Sequence, residues 1–307
     1  MSSRVWLITG TNSGLGLALA EHVLSQGDKV IATVRNIAKL PASLKSVSPL
    51  ELDLNSSPED IKAVGLKALE IYGHVDVLVN NAGYGIEVPM EELSPTELVT
   101  QFQANFFSAV YLIQSLLPAF RARKSGTVLN ISSIASTDPA PALTAYSASK
   151  AALDAMSEAL AQELTPWGIR IFIVQPGFFL TNWHANATSI GAESRRAAEE
   201  SRKTGVYADL HGCMGRTLHG NLTVRQVGDP RRAAHRMYDV VTGTGLVEGL
   251  QIKGGCPRIL LGRDSGERFL EKVQALQENA ESTKTIWSAT DLDPVRVEEM
   301  RKEAGIH

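Results

Sequence analysis

Short runs of apolar, often β-branched residues alternate along the chain with longer segments in which apolar residues recur at helical spacing. The short runs are mostly uninterrupted, as in strands that helices cover on both faces of a parallel sheet. They predict strands at residues 5–9, 30–34, 50–52, 75–79, 127–131, 169–174 and 259–261. The longer segments predict helices at residues 15–26, 58–72, 95–123, 146–164 and 230–242. This alternation indicates the α/β class: a Rossmann-like, doubly wound, seven-stranded, mainly parallel sheet with helices on both faces.

Two regions depart from that alternation. Residues 185–227 are polar, contain five glycines and show no sustained period, so we interpret them as a lid over a substrate site. Residues 265–282 have a helical pattern and begin a C-terminal extension, 265–307, that we expect to pack on the core or on a neighbouring subunit. Residues 1–307 as a whole are predicted to form a single domain with these two additions.

Composition and charge exclude several classes of protein. Hydrophobic residues make up 44% and charged residues 21% of the 307 positions, which is ordinary for a globular chain. With 30 basic and 33 acidic residues, a formal net charge of −3 and no long basic run, we expect no nucleic-acid partner. Two cysteines cannot form a disulfide framework, and no apolar run reaches the ~18 residues of a membrane span. We therefore predict a cytoplasmic protein without a membrane span.

The first predicted strand runs into a glycine-rich segment that opens the first predicted helix. Glycines let the backbone approach a pyrophosphate, and the free N–H groups of a helix N-terminus attract anions. The spacing is Gly-x-x-x-Gly-x-Gly rather than the strict dinucleotide-binding fingerprint, and an ordinary tight turn is the alternative. The cofactor-binding residues predicted here are Gly10, Asn12, Ser13, Gly14, Leu15 and Gly16.

The end of the second predicted strand indicates which dinucleotide is bound. A carboxylate there would bind the ribose hydroxyls of NAD, but the chain has Val34 and Arg35. A guanidinium binds phosphate oxygens in bidentate fashion, so Arg35 favours the 2′-phosphate of NADP. NADP(H) is therefore predicted in preference to NAD(H), with a solvated surface arginine as the alternative.

A third group of residues points to chemistry. Tyr146 and Lys150 are four residues apart in the predicted helix 146–164, which places the phenol and the ammonium on one helix face. Ser133 follows the predicted strand 127–131, and ligands bind at the carboxyl ends of strands in such sheets. Each part is common by chance, but the combination is far more specific.

These motifs follow one another in a recognisable order. The features are Thr9-Gly10-x-x-x-Gly14-x-Gly16, Asn80-Asn81-Ala82-Gly83, Ser133 with Tyr146-x-x-x-Lys150, and Pro176-Gly177 followed by Thr181. In this order the chain closely resembles the classical short-chain dehydrogenase/reductase family, and within it the NADP-dependent hydroxysteroid-dehydrogenase-like members. The resemblance is strong over residues 4–181, weaker over 228–270 and thin elsewhere.

The resemblance implies further site residues. Those beside the adenosine half of the cofactor are Asp53, Leu54, Asn81, Ala82 and Gly83, and those around the nicotinamide carboxamide are Pro176, Gly177 and Thr181. It also implies that Asn105, in the predicted helix 95–123, holds a water molecule of the proton relay. Asparagine is a poor helix former, so its position needs a reason, and simple solvent exposure is the alternative.

The reaction that the resemblance implies explains the catalytic residue types. Hydride transfer to a carbonyl carbon builds negative charge on the oxygen, which must be stabilised and protonated. Tyr146 would be the general acid. The Lys150 ammonium would lower the pKa of the Tyr146 phenol and bind the nicotinamide ribose. Ser133 would donate to the substrate oxygen. We therefore predict an NADP(H)-dependent enzyme that interconverts a ketone or aldehyde with an alcohol, acting as a carbonyl reductase.

The sequence leaves other functions and partners to consider. The same fold could carry a non-catalytic NADP-binding regulatory protein, which the intact catalytic set disfavours. His211, Cys213 and His219 lack a fourth ligand at regular spacing, so no metal site is predicted.

The resemblance implies a homodimer or homotetramer. The residues that suggest an apolar pocket for a mid-sized ketone are Phe178, Phe179, Trp183, His184 and Tyr207.

Overall fold

A computed structural model describes residues 3–183, 228–252 and 254–304, together with positions 196, 199 and 207. In these residues one sheet has the strand order β3-β2-β1-β4-β5-β6-β7, and every neighbouring pair is parallel. The strands are β1 (Val5–Thr9), β2 (Lys29–Val34), β3 (Ser48–Glu51), β4 (Val77–Asn80), β5 (Gly126–Ile131), β6 (Ile169–Pro176) and β7 (Arg258–Leu261). The predicted doubly wound, seven-stranded sheet is confirmed.

Helices cover both faces of this sheet. The helices in the described residues are α1 (Gly14–Ser25), α2 (Pro58–Tyr72), α3 (Pro95–Phe102), α4 (Ser108–Arg123), α5 (Thr144–Leu164), α6 (Pro230–Thr242), α7 (Arg263–Ser282), α8 (Lys284–Trp287) and α9 (Pro294–Glu303). Local sequence sets several of their ends. Ser57, Ser94 and Asp229 accept N–H bonds as N-caps of α2, α3 and α6, and each precedes a proline in the first turn.

The hydrophobic core is divided by the sheet into two clusters. Alternate strand residues contribute to opposite faces, so that Trp6 and Ile8 of β1 join one cluster and Leu7 joins the other. The first cluster also contains residues of α1 and α6, such as Leu19 and Met237. The second contains residues of α2, α4 and α5. Burial on both faces explains why the strands are continuous apolar runs in the sequence.

The helix predicted over residues 95–123 is interrupted. Residues Gln103–Phe107 form a π-helical turn between α3 and α4, and this turn contains Asn105. Single π turns inside helices are frequent at functional sites. The apolar spacing of the segment did not reveal this interruption.

The described chain divides into two compact units, Met1–Gly266 and Glu267–His307. The first contains the whole sheet. In the second, the Trp287 indole donates to the Ala280 carbonyl at 2.9 Å, and Asp293 caps α9. The predicted lid, residues 185–227, lies outside the described residues apart from positions 196, 199 and 207. Among the helices described, none has the length and apolar character needed to cross a bilayer.

Candidate active site

The carboxyl ends of β1 and β4 are joined through one hydroxyl group. Thr9 Oγ1 accepts the backbone N–H groups of Asn81 and Ala82, both at 2.9 Å, and donates to the Val79 carbonyl at 3.2 Å. In return, Asn81 Nδ2 donates to the carbonyl oxygens of Thr9 at 2.8 Å and Gly10 at 3.2 Å. The loop after β4 is therefore fixed against the glycine-rich loop after β1.

The three glycines of that loop each have a structural reason. Gly10 and Gly14 have φ of +70° and +60°, a region that side chains with a Cβ rarely adopt. A Cβ at Gly16 would overlap the Gly10 carbonyl and the Asn81 amide. The first turn of α1 contains no acidic residue, and the Ser13 side chain makes no capping hydrogen bond in the described structure. This N-terminus keeps its partial positive charge for an anion, so the loop fits a pyrophosphate.

Several predicted residues lie around one cavity beside this loop. A cavity of about 640 Å³ is lined by Asn12, Ser13, Gly14 and Thr181, among others. A Cβ at Gly14 would lie 3.5 Å from Thr181 Cβ, so the loop after β6 reaches the start of α1. Leu15 packs against the first core cluster. The glycine loop and the segment around Thr181 are thus brought together, as a cofactor that extends along this edge requires.

Arg35 is exposed at the end of β2, and Asp53 is exposed after β3. Both charges act on Tyr84, which follows Gly83 and bonds to the Asn55 side chain. Burial is the main cause that raises the pKa of the Tyr84 phenol; the Asp53 charge adds to this and the Arg35 charge opposes it. Leu54, partly buried, accepts from Gln103 Nε2 through its carbonyl at 3.0 Å. Arg35, Asp53 and Leu54, which were predicted for the adenosine half of the cofactor, therefore lie near one another after β2 and β3.

Ser133 and Tyr146 are in direct contact. Ser133 follows β5 and caps a short 3-10 turn by accepting the Ala135 N–H at 3.1 Å, and its hydroxyl is hydrogen-bonded to the Tyr146 phenol. Tyr146 lies in the first turn of α5 and is buried. The predicted pair is thus assembled from a strand end and a helix start that are 13 residues apart in the chain.

Lys150 is 4% exposed and points towards the sheet. Its Nζ donates to the Ile131 carbonyl at 2.7 Å and lies 6.0 Å from the centre of the Tyr146 ring. Burial lowers the pKa of Lys150 to about 8, against an opposing effect of the Asp154 charge. The ammonium is therefore held between β5 and α5, on the same helix face as the phenol.

One expectation about this pair was wrong for the structure as it stands. Lys150 was expected to lower the pKa of Tyr146, but burial raises the pKa of that phenol to about 12, and the Ser133 hydrogen bond opposes the rise only partly. Burial of the phenol is the largest cause of this rise, and Lys150 Nζ donates to the Ile131 carbonyl. The phenol is consequently protonated throughout the neutral range.

Asn105 is 2% exposed, which removes solvent exposure as an explanation for it. Its Nδ2 donates to the Tyr84 carbonyl at 2.9 Å and to Ser149 Oγ at 3.0 Å, and its Oδ1 accepts the Tyr84 N–H at 3.1 Å. A Cβ at Gly83 would lie 2.8 Å from Asn105 Oδ1 and 3.4 Å from Lys150 Nζ. The π turn thus brings Asn105 between the loop after β4 and the helix that carries Tyr146. That Asn105 holds a water molecule stays a prediction.

The loop after β6 is anchored from the start of α7. Asp264 Oδ2 accepts the Phe178 N–H at 2.8 Å, and a Cβ at Gly177 would overlap the Asp264 carboxylate. The Gly177 N–H donates to the Leu261 carbonyl at 2.9 Å. Pro176 is the last residue of β6. Pro176 and Gly177 therefore lie at the same carboxyl edge as Ser133.

Of the five aromatic residues predicted to line a pocket, Trp183 lies beside the Tyr146 phenol. The centres of the Trp183 and Tyr146 rings are 5.1 Å apart, and a Cβ at Gly85 would lie 2.7 Å from Trp183 Cζ2. Phe179 instead belongs to the hydrophobic core, and the Tyr207 hydroxyl donates to Glu91 Oε2 at 2.7 Å. His184 lies outside the described residues, as do His211, Cys213 and His219.

Thr9 and Tyr84 were not predicted as site residues. Both adjoin motifs that were recognised, because Thr9 ends β1 just before Gly10 and Tyr84 follows Gly83. Sequence offered one signal for Thr9: a hydroxyl residue ending a fully apolar strand needs a hydrogen-bond partner when buried. In the described part of the chain, no cluster of three or more His, Cys, Asp or Glu is arranged to hold a metal ion.

Comparison with known proteins agrees with this geometry. The family model described as short chain dehydrogenase matches residues 4–190. An uncharacterized oxidoreductase of Schizosaccharomyces pombe is 32% identical over 305 residues, covering 96% of each chain. A crystal structure of a short-chain dehydrogenase from Streptomyces avermitilis has a TM-score of 0.77 at 32% identity, over 94% of this chain and 99% of that one. A metagenomic short-chain oxidoreductase in complex with NADP has a TM-score of 0.55 at 33% identity, over 57% of this chain and 82% of that one.

The chain therefore belongs to the short-chain dehydrogenase family, and it is an oxidoreductase. The predicted family resemblance is confirmed. None of these three relatives is named as a hydroxysteroid dehydrogenase, so that narrower resemblance stays a prediction.

Replacing Thr9 by valine should loosen the glycine loop. The change keeps the shape of the side chain but leaves the N–H groups of Asn81 and Ala82 without their acceptor, so we expect a loss of about 2 kcal/mol in the free energy of unfolding. Urea denaturation measures this loss. Thr9→Ser keeps the hydroxyl and is the matched control; equal losses in both variants would show that the methyl group matters rather than the hydrogen bonds.

Proposed function

We propose that this protein is an NADP(H)-dependent reductase that interconverts a ketone or aldehyde with an alcohol by hydride transfer, with carbonyl reduction as its direction in the cell. The observation that carries the proposal is the hydrogen-bonded Ser133–Tyr146 pair, with Lys150 buried behind it, at the sheet edge that also presents the glycine loop. Such an arrangement offers an oxyanion a hydrogen-bond donor and a proton donor at one place.

The bound nicotinamide would supply the hydride. Ser133 donates a hydrogen bond that orients the substrate oxygen, and the Tyr146 hydroxyl delivers the proton to that oxygen. Because burial raises the pKa of Tyr146, the phenol carries its proton at neutral pH, which suits reduction better than oxidation. Lys150 holds positive charge behind the phenol, and we assign to it the nicotinamide ribose, which the family resemblance implies.

NADP(H) is the preferred cofactor because of Arg35. Its guanidinium is exposed just after β2 and can turn towards a 2′-phosphate, and its charge acts on the nearby Tyr84 phenol. A related short-chain oxidoreductase at 33% identity was solved with NADP, which supports the same choice. A non-catalytic NADP-binding protein is the second candidate, since the fold alone does not establish turnover.

The substrate is proposed to be a mid-sized apolar carbonyl compound. Trp183 and the backbone at Gly85 form an apolar wall beside the Tyr146 ring, and the missing side chain at Gly85 leaves room for the indole. A flat hydrocarbon next to the carbonyl carbon would cover this indole as the oxygen reaches Ser133 and Tyr146. Residues 185–227 are proposed to complete the pocket as a lid.

The remaining proposals concern the whole molecule. We propose a single functional domain over residues 1–307, located in the cytoplasm. A homodimer or homotetramer would form through the exposed sides of α4 and α5. Phe107, just before α4, is 39% exposed and its ring is stacked on Tyr111, which gives this side of α4 an apolar contact area.

Tyr146→Phe tests the catalytic assignment. We expect turnover of NADPH with a panel of aldehydes, small ketones and multi-ring ketones to fall at least about 100-fold, because only the proton donor is removed. The initial rate of NADPH oxidation is the measurement, and the Kd for NADPH is the control, which should change little. Tight NADPH binding by the unmodified protein with no turnover of any carbonyl would favour the non-catalytic candidate.

Arg35→Asp tests the choice of dinucleotide. Loss of a charge-assisted phosphate contact should raise the Kd for NADPH by about 10- to 100-fold and leave the Kd for NADH nearly unchanged. Fluorescence titration with each cofactor measures both constants. Lys39→Asp, which reverses another exposed positive charge a few residues away, is the matched control. Equal effects of Arg35→Asp on NADPH and NADH would contradict the 2′-phosphate contact.

Trp183→Ala tests the apolar wall. We expect kcat/KM to fall at least about 10-fold for multi-ring ketones and to change little for acetone-sized ones, because only large substrates cover the indole. Leu66→Ala is the control, as Leu66 is an exposed apolar residue of α2. A uniform fall for all substrates would indicate that Trp183 supports Tyr146 and does not select the substrate.

A further inference from the structure

Asp154 is a buried carboxylate one helical turn beyond Lys150 on α5. It is 4% exposed, and its Oδ2 lies 2.6 Å from Ser136 Oγ, 2.8 Å from Gln175 Nε2 and 2.8 Å from Arg258 Nη1. Its second oxygen, Oδ1, is buried without a hydrogen-bond partner in the described structure. None of the cofactor or substrate contacts assigned above uses this group.

The partners of Asp154 lead to each part of the site. Ser136 Oγ lies 2.6 Å from the Ser133 carbonyl oxygen and 2.6 Å from Asp154 Oδ2. Because a hydroxyl group has one hydrogen, it donates to only one of the two at a time. Gln175 Nε2 lies 2.7 Å from Ser136 Oγ, and Gln175 immediately precedes Pro176. Asp154 therefore connects the Ser133 loop and the end of β6 to the helix that carries Tyr146 and Lys150.

The charge of Asp154 also has a consequence. A buried ammonium is costly unless an opposite charge lies near it. Burial lowers the pKa of Lys150, and the Asp154 charge is the effect that opposes this fall. Arg258 in turn balances Asp154, and it also forms an ion pair with Glu158 at 2.6 Å.

We propose that Asp154 is a positioning residue of the active site: it fixes the Ser133 loop through Ser136, fixes the turn into Pro176 through Gln175, and by its negative charge keeps Lys150 in the ammonium form. The catalytic part of this inference rests on the proposed reductase function. The effect on Lys150 can be measured without any turnover, so the two can fail separately.

The other charged or titratable groups near these side chains are few in the described residues. Glu87, in the loop after β4, acts on Tyr146. Glu158 of α5, Arg258 of β7 and the Cys256 thiol adjoin Asp154. Burial raises the pKa of Cys256 to about 11, so this thiol stays neutral over the range in which Lys150 titrates. A variant at Asp154 therefore changes one charge in otherwise constant surroundings.

The first experiment is a pH titration of Lys150 by NMR. The ¹³Cε resonance, assigned by its absence from Lys150→Met, is followed in the full-length protein without cofactor. In Asp154→Asn, which keeps the shape but removes the charge, we expect the midpoint to fall by about one pH unit. In Arg258→Met, which leaves the carboxylate unbalanced, we expect it to rise. Opposite shifts identify the charge as the cause, because a merely structural role would not reverse sign.

The second experiment applies the same variants to carbonyl reduction. The alkaline limb of kcat/KM should move to lower pH in Asp154→Asn and to higher pH in Arg258→Met, since a negative charge raises the pKa of both Lys150 and Tyr146. Asp154→Glu restores the charge and should restore the limb. An alkaline limb that stays in place in both variants would overturn the catalytic part of the proposal.

The matched control is the ion pair of Asp76 and Arg123, which lies at the start of β4 rather than at its carboxyl end. Asp76→Asn breaks a partly buried ion pair and a backbone contact to Val5, so it should lower the melting temperature. It should leave both the Lys150 midpoint and the alkaline limb unchanged. A Lys150 midpoint that moves equally in Asp76→Asn and Asp154→Asn would overturn the assignment to Asp154. So would a midpoint that stays in place in both Asp154→Asn and Arg258→Met.

Discussion

Lys150 lies almost completely buried in the first half of α5, and its ammonium group therefore needs partners that replace the water it has lost. The Ile131 carbonyl, at the end of β5, accepts one of its hydrogens, and the Asp154 carboxylate supplies the opposing charge. The first of these interactions joins α5 to the carboxyl end of β5. Tyr146 is on the same helix face as Lys150. The contact of Lys150 with the Ile131 carbonyl therefore also helps to hold the phenol beside Ser133.

The remaining loops at this edge are held by side chains that bond to backbone. Thr9 binds the loop after β4, Asn105 binds that loop from the π turn, and Asp264 binds the loop after β6. Each is buried or partly buried, so a missing partner would cost the desolvation of the group left behind. The parallel strand order brings these loop ends to one edge, and the polar side chains then fix their spacing.

Sequence predicted the strands well because burial on both faces makes them continuous apolar runs, as in the residues around Leu78 and Val128. The predicted start of α2 at residue 58 agrees with the structure, in which Ser57 caps the helix and Pro58 is its first residue. It did not predict the π turn at Asn105, since the cause is not local: the amide reaches the backbone of Tyr84, in a loop 21 residues away. Arg258 and Asp154 are 104 residues apart, and no period or spacing connects them.

The proposed active site shows the same division between what local sequence patterns indicate and what the folded structure decides. By itself the sequence determined the family and the fold class, and it predicted the Ser133, Tyr146 and Lys150 group, because these depend on residue types in a fixed order and on short spacings along one helix or strand end. Only the tertiary structure decided that the phenol is buried with a raised pKa and that Lys150 is turned to the Ile131 carbonyl. The burial of a side chain and the charges around it depend on residues that are distant in the chain. Both are therefore set only once the sheet and its helices have packed together.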